Sequence, residues 1–589
     1  MLYQAPLRDM QFILEHVVGF DAITALPGCE EVTADLAAAV LDEAARFATG
    51  VLAPLDRPGD IQGCRLEAGK VRTPDGWQEA WRQFSAGGWV GLGMATEHGG
   101  QGLPKILATP VSEMWSAANL SFSLLAPLNA SASEALRIAA NDRLKETFLP
   151  PLASGEWAGT MCLTESQAGS DLGAIRTRAE LQADGNYRLF GQKIFITYGD
   201  HELSSNIVHL VLARTPDAPA GVKGISMFVV PKFLVGDDGS LGAHNDVQCV
   251  ALEHKLGLHG SPTCVMSFGD AGGAVGHLVG ETGRGLEYMF VMMNEMRFGS
   301  GLQGPALAER AYQQAVAFAR ERIQGRGREG VPVPIIQHAD VKRMLLTMRA
   351  KLMAARTLSY AAAGWFDMAA RHPDVAVAEK HRRLVDLLMP VLKGWNTEVG
   401  NEVCELAIQI HGGAGFVEET GVAQHYRDAR ITTIYEGTTG IQAGDLVGRK
   451  ILREGGATLL MLVGELRATG AELTAAGLTS MSTRFDAAIA GVDATLDWIL
   501  ACGNERFAEV QAGAVPVLRQ IGLVCGAWQL GRAALAAHRL GDAGDGAYHR
   551  GIVGLAEFYF AHVLPQAGAW AVAACGGAKP CIEFPEELL

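Results

Sequence analysis

The sequence predicts an α+β chain that is mainly helical, with its strands gathered in the middle instead of alternating with helices. Helical periodicity runs over about residues 34–152, and short β-branched and aromatic runs separated by Gly, Asp and Pro fill about 161–277. Helical periodicity then returns in long stretches after GETGRG at 280–285. This order excludes the βαβ rhythm of a dinucleotide-binding sheet, so GLG at 91–93 and GGAG at 412–415 carry no argument for nicotinamide.

Residues 1–33 read as an N-terminal extension and 34–158 as a helical domain, exemplified by ADLAAAVLDEAARFATGVL, where Leu36, Val40, Leu41 and Ala44 recur at helical spacing. A β domain follows at 159–282, with KIFITYG, NIVHLVLAR, ISMFVVPKF and TCVMSFG as strands. Residues 283–450 read as a bundle of long helices, with Met344, Leu345, Met348 and Leu352 forming one apolar stripe. QGRGREGVPVP, 324–334, reads as an exposed loop between two of these helices. Residues 451–589 read as an appended helical domain, whose Ala/Leu stripes and Trp498, Trp528 and Trp570 need a surface to bury against.

The chain of 589 residues carries 49 Lys+Arg against 64 Asp+Glu, a net charge of −15 that argues against a nucleic-acid partner. With 49% hydrophobic and 19% charged residues the balance is globular. No run of 18 apolar residues occurs, since LEYMFVMMNEM at 286–296 is cut by Glu287, Asn294 and Glu295. The N-terminus shows no basic region leading into an apolar one, and the ten cysteines are scattered without CxxC pairs. The expectation is a cytoplasmic protein with reduced thiols, no membrane span and no metal site.

Four segments concentrate chemistry. In TESQAGSD, 164–171, hydroxyls and small residues make a loop that a ligand can approach closely, with Thr164 and Ser170 as donors; a polar turn before a strand has the same pattern. In GQKIFITYGD, 191–200, alternation places Phe195 and Thr197 on one face, suited either to flanking a flat heterocycle or to covering a core. In NEMRFGSG, Arg297 sits among Met289, Phe290, Met293, Met296 and Phe298, where a cation needs an acid partner unless it snorkels from the helix edge. In ITTIYEGTTG, Glu436 follows an apolar run in a turn where Gly437 adds no bulk; an apolar surround raises a carboxyl pKa as a general base requires, although a glutamate near a helix start also serves as a cap.

Together these segments resemble the acyl-CoA dehydrogenase family over roughly residues 36–446. The resemblance is carried by GWVGLGMATEHGGQGLP, LTESQAGSD, KIFIT, KLGLHGSPTCVMSFGD, LVGETGRGL, MRFGSG, RERIQG, QIHGGAGF and IYEGTTGIQ. YQAPLRDMQFILEHV and the appended section look like the longer bacterial branch, which includes 3-methylmercaptopropionyl-CoA dehydrogenases. The family fold implies a helical domain, a middle β-barrel and a C-terminal four-helix bundle, here with the extra helical domain.

The resemblance further implies FAD between the β domain and the bundle. Leu163 and Thr164 would meet the pyrimidine side of the flavin, Thr197 would lie near N5, and Phe195 beside the ring. Arg322, Gln409 and Gly413 match positions reaching the diphosphate of FAD across a subunit interface, so a homodimer is expected, and Thr438 matches one near the adenine end. Ser170 is similar to a residue on the CoA arm, Glu436 to the catalytic base, with Gly437 beside it at the substrate, and Arg297 to the arginine behind the base, whose carboxylate it would answer. Phe195 stands where the family usually has Trp, Ser166–Gln167 where it has Pro-Gly, and Gly440 often where it has Gln. Some relatives carry the base on the helix immediately before the arginine; that position is Met296 here, and Glu295 lies about a hundred degrees around the helix from it.

The implied reaction is α,β-dehydrogenation of an acyl-CoA to the trans-2-enoyl-CoA, with an electron-transferring flavoprotein as acceptor. Two other readings belong to similar chains: an acyl-CoA oxidase that reduces O2, and an alkylation-response flavoprotein that binds DNA. From residue 451 onward nine basic residues stand against fourteen acidic ones without a basic cluster, which disfavours the DNA role.

Overall fold

The computed structural model describes residues 3–589; Met1 and Leu2 of the expected extension, and the Ala578 side chain in the appended domain, lie outside the described residues. The opening domain is built from the helices Ala34–Phe47, Ala53–Gln62, Trp77–Ala86, Lys105–Ala118, Leu125–Ala139 and Asp142–Ser154. Thr33 caps the first, its hydroxyl accepting from Leu36 N at 3.1 Å. The face this helix buries is Ala37, Leu41 and Ala44, continuing to Ala48, and Leu36 of the predicted stripe stays exposed. Leu41 and Ala44 of the predicted stripe are buried and Val40 is half-buried, and the face packs toward the neighbouring helix Lys105–Ala118 with Ala37 in place of Leu36.

In the β domain, the strands Tyr187–Thr197, Ala274–Val279, Ile225–Pro231 and Asn206–Arg214 pair in that order, and Arg178–Leu181 pairs with both the first and the last, closing a barrel. Trp157–Cys162 adds in parallel to Asn206–Arg214. On the other side, Thr263–Phe268 and then Val247–Leu252 extend the sheet from Tyr187–Thr197. The ladder between Thr263–Phe268 and Tyr187–Thr197 slips: Cys264 faces Ile196, but Met266 faces Lys193. One extra residue is therefore accommodated between Lys193 and Ile196, and Phe195 takes φ +60°. The simple alternation expected for Phe195 and Thr197 is broken at this bulge.

Three long helices form the bundle, Gly285–Glu321, Ala339–Arg371 and Val375–His411. Met344, Leu345, Met348 and Leu352 are buried, as their spacing predicted. The first and third helices approach at Gly304, where a Cβ would fall 2.1 Å from the Asn396 carbonyl oxygen. The fourth member is in two pieces, Val422–Arg430 and Thr439–Asp445, and Glu436 falls in the break. The segment read as a plain loop is a hairpin instead: Ile323–Arg326 pairs with Pro332–Pro334, because the turn at Gly327–Gly330 lets its two arms meet.

The appended domain comprises chiefly the helices Ala457–Ala475, Thr479–Cys502, Ala514–Leu540, Gly546–Phe558 and Gln566–Gly576. Ala514–Leu540 lies on the bundle, with Trp528 stacked on Trp365 at 5.7 Å between centroids. Trp528 Nε1 donates to Thr469 Oγ1 at 3.0 Å, and Arg519 stands over Trp570. Trp528 is buried, whereas Trp498 and Trp570 are only partly so. The ten cysteines are free thiols. Among the described residues no helix is long and apolar enough to cross a membrane.

The N-terminal helix Leu7–His16 is wedged between the bundle and the appended domain. Its Asp9 is buried, pairs with Arg349 and accepts from Tyr548 Oη at 2.8 Å. Behind it lies Arg356, fully buried, whose guanidinium donates to Glu113 of the opening domain and Glu309 of the bundle, each at 2.6 Å. Tyr360 Oη completes Glu113 at 2.7 Å. Burial alone would raise the Asp9 pKa, yet Arg349 and Arg356 hold it below the ordinary value. This ionic contribution to stability is present above the unfolded carboxyl pKa and is lost as pH falls through the lower folded value.

Replacing Arg356 with Met leaves the buried Glu113 without a cation and removes the closest cation from Glu309, while Asp9 keeps Arg349, and costs about 3–5 kcal/mol. The expected outcome is a first thermal transition lowered by several degrees, followed by circular dichroism.

Candidate active site

Glu436 stands at φ +56° and Gly437 at φ +90°, so the turn between the two pieces of the fourth bundle element is left-handed at both residues. For a residue with a side chain this costs about 1–2 kcal/mol, which the surroundings must hold in place. Gln442 Nε2 donates to the Glu436 carbonyl at 2.9 Å, and Lys393 Nζ donates to the Gly437 carbonyl at 2.6 Å. Tyr435, just before, donates its hydroxyl to Gln303 Oε1 on the first bundle helix. A Cβ at 437 would lie 2.7 Å from Gln442 Nε2, so only glycine leaves that brace its room. The Thr438 hydroxyl accepts from Ile441 N at 3.2 Å and caps the helix that follows.

Glu436 is half-buried, and the protein around its carboxyl pushes the pKa up to about 7, with the charges of Arg297 and Lys393 acting in the opposite direction. Arg297 was expected to have an acid nearby unless it snorkels from the helix edge. The structure places Arg297 within the field of Glu436, but among the described residues no carboxylate comes within 4.0 Å of its guanidinium, and its buried Nε has no partner. Glu295, the alternative acid on this helix, is taken up by Lys105 Nζ at 2.5 Å. That ammonium group also sits 5.1 and 5.0 Å from the ring centroids of Phe298 and Phe366.

A cavity of about 480 Å³ lies between the first bundle helix and the opening domain. Met296, Gly299 and Gln303 line one side and Trp89, Trp115 and Ala130 the other. Gln303, which receives the Tyr435 hydroxyl, ties the cavity wall to the turn of Glu436.

A second group of predicted residues meets in the β domain. Ile194 N donates to the Thr164 carbonyl at 2.9 Å, bringing the loop after Trp157–Cys162 against the bulged strand of Phe195 and Thr197. The loop is pinned from inside by Glu165, whose carboxylate receives Lys193 Nζ at 2.8 Å, Arg176 N at 2.7 Å and Thr177 Oγ1 at 2.6 Å. Lys193 also donates to the Leu163 carbonyl at 2.9 Å. Burial would raise the Glu165 pKa, but the ammonium group and the other donors bring it down to about 2. Leu163 is buried, Thr164 and Thr197 are half-buried, and the bulge leaves the Phe195 ring 59% exposed. Ser170 lies exposed farther along the loop.

Arg322, Gln409 and Gly413 form a third group, all exposed, at one end of the bundle. Phe318 stacks on His411 there at 4.3 Å, tying the end of the first long helix to the end of the third. At 1.5 Å per residue, Arg322 is roughly 37 Å along the helix from Arg297. The third group is therefore remote from the Glu436 turn of its own chain.

Sequence reasoning passed over Lys393, Lys193 and Gln442. A lone lysine inside the apolar run MPVLKGW was the available sign for the first, and KIFIT held the second in view without its role.

Family models match in chain order: acyl-CoA dehydrogenase, N-terminal domain at 35–156; middle domain at 160–271; C-terminal domain at 283–452; and acetyl-CoA dehydrogenase C-terminal like at 462–585. The chain is 47% identical over 575 residues to 3-methylmercaptopropionyl-CoA dehydrogenase of Ruegeria pomeroyi, covering 97% of each chain. It is 33% identical over 622 residues to a butyryl-CoA dehydrogenase of Syntrophomonas wolfei, covering 100% of this chain and 98% of that one. Its fold is that of the acyl-CoA dehydrogenase of Bacillus anthracis solved with FAD, at a TM-score of 0.75 and 21% identity, over 98% of this chain and 93% of that one.

Lys193→Met leaves the Glu165 carboxylate buried without its cation. The loop 163–170 should loosen, and the variant should retain less flavin than the wild type after gel filtration in added FAD, as read from its visible absorbance.

Proposed function

The chain belongs to the acyl-CoA dehydrogenase family, and on that premise we propose an FAD-dependent α,β-dehydrogenation of an acyl-CoA thioester in which Glu436 is the base. The observation that carries the assignment of the base is the carboxyl of Glu436, raised to about 7 in a braced left-handed turn that Tyr435 ties to Gln303 of the cavity wall. A general base is most effective when its pKa lies near the working pH.

The residues of the β domain fit a flavin. Phe195 offers an exposed aromatic plane, and among the described residues neither the Thr164 nor the Thr197 hydroxyl has a hydrogen-bond partner in the chain. Leu163, Thr164, Phe195 and Thr197 would hold the ring system, and when bound FAD supplies the two-electron acceptor for hydride from the substrate β carbon. The chain itself handles the proton. Glu436 takes it from the α carbon, and Arg297 favours the ionised carboxylate beforehand. Among the described residues the Glu436 backbone N–H has no acceptor in the chain, so it is available to the thioester oxygen as negative charge develops there. Gly437 leaves room beside the base, the cavity along Met296 and Gly299 receives the acyl chain, and Ser170 meets the CoA arm. The 47% relative supports a 3-methylmercaptopropionyl thioester as the first substrate to try, within a panel of four to sixteen carbons.

Arg322, Gln409 and Gly413 lie too far from Glu436 to serve one flavin dinucleotide within one chain, which supports their reaching the diphosphate of a neighbour's FAD in a homodimer. The exposed Phe416, 90% accessible beside Gly413, is a further reason for a partner subunit on that end. Thr438 is retained as the adenine-side residue, its capping role leaving it exposed. An electron-transferring flavoprotein as acceptor, a cytoplasmic location and a place in fatty acid metabolism complete the reading; the dehydrogenases among its relatives favour it over an oxidase or a DNA-associated flavoprotein.

Glu436→Gln should abolish turnover while flavin and acyl-CoA remain bound, because Gln keeps the backbone N–H and nearly the same shape but accepts no proton. Glu295→Gln should have a modest effect. In the wild type the rate should rise as pH climbs through about 7, where Glu436 becomes ionised; substrate bleaching of the flavin, followed by rapid mixing, checks all three. Light scattering should give a dimer, with the appended domain covering bundle surface that would otherwise take a second contact.

A further inference from the structure

The dehydrogenation above draws on Glu436 and Arg297 and leaves aside the ammonium group buried next to them. Lys393 lies midway along Val375–His411 with no exposed surface. Burying a lysine in this way is costly unless its protons are received. It donates to the carbonyl immediately after the base, Gly437 O, at 2.6 Å. With Gln442 on the Glu436 carbonyl, two successive carbonyls of the left-handed turn are each held by a side chain, one from the long helix and one from the short helix that follows.

The charged and titratable groups facing this pair come from several elements. Glu436 and Tyr435 belong to the turn, Arg297 to the first bundle helix, and Glu398 to the helix of Lys393 itself. Glu398 in turn receives Thr439 Oγ1 at 2.7 Å and Arg519 of the appended domain at 3.3 Å. Burial lowers the Lys393 pKa to about 8; Glu436 and Glu398 counter this, and Arg297 adds to it. The appended domain also supplies the cover. A Cβ at Gly394 would fall 2.8 Å from Leu518 Cδ1, and Trp395 is clasped between Gly522 and Gly526.

We propose that Lys393 is a positioning residue for the dehydrogenation: its ammonium group clamps the Gly437 carbonyl, fixing the strained turn, and presents a positive charge to the base from beneath the appended domain. The inference rests on Glu436 being that base.

Infrared titration of the Glu436 carboxyl, identified by its loss in Glu436→Gln, provides a readout independent of turnover. In Lys393→Met the midpoint should rise by about one pH unit, since a nearby opposite charge stabilises an ionised carboxylate by at least that much. Turnover of butyryl-CoA and 3-methylthiopropionyl-CoA should fall on the order of tenfold in kcat with KM within about twofold, and the pH profile should move alkaline with the carboxyl. Lys393→Arg, keeping the charge, should restore the wild-type midpoint and part of kcat. A wild-type midpoint and profile in Lys393→Met overturns the proposal. If that variant fails to fold, the half-buried Glu398→Gln serves instead: without one of the two carboxylates that favour the charged Lys393, the rate should fall earlier on the alkaline side, and an unchanged profile overturns the proposal equally. An active Glu436→Gln would mean that the base is misassigned, whereas an inactive one beside an unchanged Lys393→Met removes only the role of Lys393.

Discussion

A guanidinium sealed from water has to be met by carboxylates, and Arg356 draws them from separate parts of the chain. Glu113 comes from the opening domain and Glu309 from the first bundle helix, while Asp9 of the N-terminal segment joins through Arg349 and is closed off by Tyr548 of the appended domain. An isolated ion in this position would be prohibitively costly, so the cluster is tolerated only when all of these elements are in place. The cavity is bounded by two of those elements, the opening domain and the first bundle helix. Its width therefore follows from the same docking that satisfies Arg356.

The turn of Glu436 obeys a related rule on a smaller scale. Its left-handed backbone is unfavourable in isolation and is maintained by donors from two helices, with Tyr435 anchored to a third. The same turn that strains the backbone at Glu436 sets its half-buried carboxyl where desolvation raises the pKa. The appended domain takes part through Arg519 and Leu518, so a section outside the catalytic bundle helps to shape the surroundings of the base.

The β domain solves the opposite problem, keeping an aromatic ring exposed while the loop beside it is rigid. The buried Lys193–Glu165 pair anchors the loop from within, and the extra residue in the ladder turns Phe195 outward. Charge satisfaction holds the backbone, which frees the side chains of Thr164, Thr197 and Phe195 from structural work.

Local pattern was enough to read the order of helical and β regions, the stripe of Met344 to Leu352, the signature segments and the special environment of Glu436. Each depends on residues near one another in the chain, where periodicity and turn chemistry act directly. Other features were decided only by tertiary packing. The buried face of Ala34–Phe47 moved off Leu36 because of what lies against it, and the alternation at Phe195 gave way to a bulge imposed by the partner strand. Arg297 was expected to have an acid nearby, and packing decides that this acid, Glu436, is met through space rather than by an ion pair. Lys393 and Glu436 are 43 positions apart, and neither sequence neighbourhood contains the other. Burial and charge become properties of a site only when distant segments close around it, so Lys393 and Arg297 beside Glu436 emerge from the fold, while Glu436 itself stood out in its own short motif.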